Sequence, residues 1–78
     1  MNNEDIIKVI SRALEVSEGS VTMESSADDI ENWDSLGHLS ILVDLDKEFN
    51  GKLANIEEMA TADSVSKIVK ILEEHSLL

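Results

Sequence analysis

The chain has 78 residues, with 17 acidic against 6 basic side chains, a formal net charge of −11 and no cysteine. One small domain spanning residues 1 to 78 is the expected organisation, since a chain this short buries only somewhat over half of its unfolded surface and has little room for a deep catalytic cavity. The charge disfavours nucleic acid and anionic lipid as partners, the lack of cysteine removes disulfides and thiolate metal sites, and no apolar stretch is long enough for membrane insertion or a signal-peptide core, so a cytoplasmic monomer is expected.

In chain order, Ile6, Ile7, Ile10, Ala13 and Leu14 recur at three- and four-residue spacing after the acidic pair Glu4-Asp5, which predicts an amphipathic helix over residues 4 to 16. Periodicity then disappears from 17 to 34, a long ordered loop with Val21, Met23, Ile30 and Trp33 as anchors. Loops of this length usually carry a function, and this one leads directly to Ser35. A second helix is predicted over residues 35 to 49, and Asn50-Gly51 is its stop signal. Residues 53 to 60 have room for a short helical piece carrying Ile56 and Met59. Asp63 or Ser64 then caps a third helix with Val65, Ile68, Val69, Ile71 and Leu72 inward, fading near Glu74. Strand alternation and repeats are absent from the pattern. With a single Trp and a single Phe, aliphatic side chains must form the core. The expected fold is all-α: a small helical bundle of three long helices plus one short helix, with a long loop between the first and second helices.

The second helix carries more apolar surface than a core stripe needs. At about 100° per residue, Leu36, Leu39, Ile41, Leu42, Val43, Leu45 and Phe49 spread over roughly 220°. Ile41, Leu42, Leu45 and Phe49 occupy the centre of that arc and are expected in the core. Leu36 and Val43 lie at its edge beside Ser40 and Lys47, where exposed apolar side chains would mark a docking spot. Gly37 weakens the first turn and leaves space for close approach of a partner backbone.

The start of this helix holds the clearest chemical opportunity. Ser35 follows Asp34 where unpaired N–H groups and the positive end of the helix dipole favour an anion, so a phosphodiester on its hydroxyl would be well placed; the plainer reading is that Asp34 or Ser35 caps the helix. His38 stands three residues further on and shares a face with Ser35, which raises a nucleophile–base pair, but no oxyanion loop or group to orient the imidazole accompanies it. His38 is therefore expected to be partly exposed and His75 to face solvent in the last helical turn. Asp44-x-Asp46 lies within a helix and lacks the features of a calcium loop, so no metal site is expected.

Glu31-Asn32-Trp33-Asp34-Ser35-Leu36, followed by Leu39, Ile41, Leu42, Leu45 and Phe49, resembles the phosphopantetheine attachment site and second helix of acyl carrier proteins, and the likeness extends over essentially the whole chain. The resemblance implies a non-catalytic carrier. A phosphopantetheinyl transferase would attach phosphopantetheine from coenzyme A to Ser35, and the arm's thiol would hold acyl intermediates as thioesters. The family's docking surface corresponds to Asp34, Leu36, Val43, Asp44, Asp46 and Glu48, which would meet basic patches on acyl-loading, acyl-transfer or synthase enzymes. Leu39, Ile41, Leu42, Leu45, Ile56, Met59 and Ile68 are the candidates for lining an acyl pocket. Gly37, Ser40, Lys47 and Trp33 differ from the pattern of primary fatty-acid carriers, which points to a specialised carrier of a fatty-acid-like, polyketide or other dedicated pathway. The alternatives are an amino-acyl carrier of D-alanyl or peptidyl type and an unmodified acidic helical adaptor.

Overall fold

Asn2 and Asp5 start the first helix with a reciprocal capping box. The Asn2 side chain accepts the Asp5 backbone N–H at 3.0 Å, and the Asp5 carboxylate accepts the Asn2 N–H at 3.1 Å. In the computed structural model, which describes residues 2–78, helix α1 then runs Asn3–Leu14. Ile6, Val9, Ile10 and Leu14 are buried. Ser11 joins them because its hydroxyl donates to the Ile7 carbonyl at 2.8 Å. The helix stops earlier than the spacing predicts, as Glu15 turns left-handed at φ 58°.

Helix α2 is Ser35–Glu48 and helix α3 is Val65–Glu74, so the described chain is all-helical with three helices, as the periodicities predict. α1 packs mainly on α2. Ser64 caps α3 by accepting the Lys67 N–H at 3.2 Å, and Val65, Ile68, Val69, Ile71 and Leu72 are all buried on its inner face. α2 ends at Phe49. Asn50 and Gly51 take left-handed φ values of 56° and 80°, which lets the Gly51 N–H reach back to the Asp46 carbonyl at 2.8 Å. The predicted short helix is a 3₁₀ segment, Glu57–Thr61, with Ile56 just before it and Met59 buried within it.

The long loop is held at both ends and in the middle. Val21, Ile30 and Trp33 are buried and Met23 is half-buried, as expected of anchors. A 3₁₀ turn at Glu18–Ser20 and an isolated antiparallel bridge between Ser26 and Ser64 were not visible in the pattern. The bridge ties the loop to the start of α3: the Ala27 N–H donates to the Asp63 carbonyl at 2.8 Å, and the Val65 N–H to that of Ser25 at 3.0 Å. A single pair of residues has no alternation to announce it. The apolar side chains merge into one core, aliphatic apart from Trp33, Phe49 and Met59.

Candidate functional site

The loop delivers the chain to α2 with Asp34 as its cap. Asp34 Oδ1 accepts the Gly37 N–H at 2.9 Å, and its backbone carbonyl accepts the His38 N–H at 2.8 Å. The cap is thus Asp34, and Ser35 is the first helical residue, exposed to solvent. Among the described residues, none makes a hydrogen bond to the Ser35 hydroxyl.

Gly37 has a different task from the one expected. A Cβ at this position would collide with the Asn32 carbonyl oxygen and lie 2.9 Å from Leu14 Cδ2. The close approach is made by the chain's own loop. Asn32 completes the clamp by donating its side-chain amide to the Leu14 carbonyl at 3.0 Å, so the end of α1, the loop and the first turn of α2 are locked together.

His38 is half-buried, and both ring nitrogens are engaged away from Ser35. Trp33 Nε1–H donates to Nδ1 at 3.0 Å, and Nε2 meets the Met59 carbonyl at 2.8 Å. The Trp33 and His38 rings lie nearly parallel, 13° between planes with centroids 6.2 Å apart. In this arrangement neither nitrogen is free to take a proton from Ser35. Sequence spacing put Ser35 and His38 on one face but gave no sign of the partners that occupy the imidazole. A cleft of about 380 Å³ opens beside Ser35, lined by Trp33, Asp34 and His38 together with Ala60, Thr61 and Asp63. Asp63 forms an ion pair with Lys67 at 2.8 Å. The hydrogen bond and charge of Lys67 hold the Asp63 carboxyl below the usual carboxylate range. His75 sits at the C-cap of α3, exposed, with Nε2 3.6 Å from Glu58 Oε1.

The residues expected to line an acyl pocket separate into three groups. Ile41, Leu45 and Ile68 are fully buried and fill the core. Leu39, expected with them, is instead 56% exposed, because its position on α2 turns it towards solvent. Of the seven, only Leu42, Ile56 and Met59 border an open groove, about 300 Å³ in volume, whose lining also includes Val43, Asp46 and Leu53. Leu42 is half-buried there rather than central to the core.

Leu36 and Val43 are exposed as expected, at 76% and 45%, and with Leu39 they are the exposed large hydrophobics of the described residues. All three fall within about 60° of one another on a helix advancing about 100° per residue. The acids named with them do not share that face equally. Asp34 is committed to the cap, and Asp46 is half-buried with Oδ1 accepting the Leu53 N–H at 3.1 Å. Asp44 and Glu48 border a surface groove with Val9 and Arg12 of α1.

No protein-family model, curated protein or solved structure matches the chain. Among the described residues, no helix is long and apolar enough to cross a membrane.

Proposed function

We propose that this chain is a carrier protein that bears a phosphopantetheine arm on Ser35, holds acyl groups as thioesters and presents them to partner enzymes of a dedicated biosynthetic pathway. The observation that carries this reading is a juxtaposition: an exposed, unengaged serine hydroxyl opens the helix whose next turns hold Leu36, Leu39 and Val43 in solvent. A phosphodiester fits this position. The N–H groups of Ser35 and Leu36 have no intrahelical acceptor, as at any helix start, and the dipole there favours an anion. Asp34 carries like charge, but its carboxylate is turned to the Gly37 N–H.

When bound, the arm would supply the thiol. The protein's own part is to display the hydroxyl to a phosphopantetheinyl transferase and to offer an apolar face beside it, while tethering raises the effective concentration of cargo at successive enzymes. The open groove bordered by Leu42, Ile56 and Met59 offers room for part of a short acyl chain. The bulk of the chain's charge, −11, would hasten encounter with basic partners, while the contact itself would centre on the leucine–valine stripe.

The exposed stripe alone would equally serve an unmodified acidic adaptor, and intact mass separates the two. After incubation with coenzyme A, magnesium and a broad-specificity phosphopantetheinyl transferase, a phosphopantetheine-sized gain localised to Ser35 by fragmentation is expected. Ser35→Ala should remain folded and gain nothing. An unchanged mass in the folded wild-type chain, with a control carrier modified in the same tube, would favour the adaptor.

A further inference from the structure

The direction of each hydrogen bond around His38 is chemically forced. An indole nitrogen only donates, so Nδ1 is the acceptor of the 3.0 Å contact with Trp33. A carbonyl only accepts, so Nε2 carries the proton in the 2.8 Å contact with Met59. One neutral tautomer satisfies both. An imidazolium has a proton on each nitrogen and must release the indole N–H, and Trp33, only 4% exposed, has little access to water as a substitute partner.

We infer that Trp33, His38 and the Met59 carbonyl form a pH-sensitive latch that holds the cleft beside Ser35 in shape and is released when His38 gains a proton. The three groups belong to three segments: the end of the long loop, the first turns of α2, and the 3₁₀ segment Glu57–Thr61. Their hydrogen bonds therefore tie together the three segments that supply Trp33, His38, Ala60 and Thr61 to the cleft beside Ser35. The other ionisable groups lining that cleft are Asp34, at the cap of the same helix, and Asp63, beyond the 3₁₀ segment. Asp34 holds the Gly37 N–H, and Asp63 is paired with Lys67 of α3. α1 contributes no side chain to the cleft. A second imidazole, His75, faces Glu58 at 3.6 Å, next in sequence to Met59, and its titration must be told apart from that of His38. The latch rests on the carrier reading only for what Ser35 would bear; its chemistry belongs to the unmodified chain.

The test is an NMR titration of the isotopically labelled, unmodified full chain from about pH 8 to about pH 5. At the upper end the ring nitrogens of His38 should report the Nε2–H tautomer. On acidification the Trp33 indole N–H and the amides of residues 59 to 63 should shift with the same midpoint as the His38 ring. His75→Gln should leave that coupling intact. His38→Gln supplies an acceptor and a donor that do not titrate, and should hold the indole at its high-pH position throughout. A Nδ1–H tautomer in the wild-type chain, an indole signal indifferent to the His38 titration, or an unchanged transition in His38→Gln would overturn the latch. None of these readouts depends on mass gain at Ser35, so the latch and the carrier reading fail separately.

Discussion

The Asn32 carbonyl oxygen rests directly on Gly37, so close that a Cβ would collide with it, and Leu14 closes the same spot from α1. Gly37 is therefore the contact point at which three segments meet beside the candidate attachment serine. Gly37→Ala recovers about 1 kcal/mol of helix propensity but forces a backbone displacement whose cost is at the upper end of overpacking, about 3 kcal/mol. A net loss of about 2 kcal/mol is expected in urea denaturation. A variant more stable than wild type would show that the loop does not press on this residue.

Asp34 tests the cap. Asp34→Ala removes the acceptor of the Gly37 N–H and should lower stability by about 1 kcal/mol, whereas Asp34→Asn retains a capping oxygen and should recover most of it. Equal losses in the two variants would point to the negative charge, acting on the helix dipole, rather than to the capping bond.

Leu39 and Leu45 are both leucines of α2, yet one is 56% exposed and the other fully buried. Leu45→Ala should cost about 2–5 kcal/mol, through lost burial and the cavity left behind. Leu39→Ala should stay within about 0.5 kcal/mol of wild type. Comparable losses would place Leu39 in the core and remove it from the exposed stripe. On the carrier reading, Leu36→Asp or Val43→Asp should slow acyl transfer by partner enzymes with helicity unchanged, measured by circular dichroism and single-turnover transfer.

Asp63 provides a pH test. Its folded pKa is lowered by Lys67, so the pair's contribution is fully present above the unfolded carboxylate value of about 3.9 and is lost as pH falls through the lower folded value. Lys67→Met should return the Asp63 titration, followed by its side-chain carbon resonance, towards the ordinary value. Both partners are well exposed, so added salt should shrink the difference between wild type and variant. A titration unmoved by Lys67→Met would assign the shift to another group.

The number of helices, their approximate limits and the anchors of the long loop follow from the sequence alone, because three- and four-residue apolar spacing and local signals such as Ser64 and Asn50-Gly51 act within a turn or two of the backbone. The capping box of Asn2 and Asp5 is equally local, since its two members stand three residues apart at the helix start. Ser35 could also be singled out locally, since a helix start is a property of neighbouring residues. What surrounds Ser35 was decided by tertiary structure. The contact of Asn32 with Gly37, the bridge of Ser26 to Ser64 and the bond from His38 to Met59 join residues whose separation in the chain carries no periodic signal. The same reason divides the leucines of α2: the apolar arc already places Ile41 and Leu45 at its centre and Leu36 and Val43 at its edge, but only the packing of α1 and Glu57–Thr61 against the helix determines that Leu39 remains in water and Leu42 is half-buried.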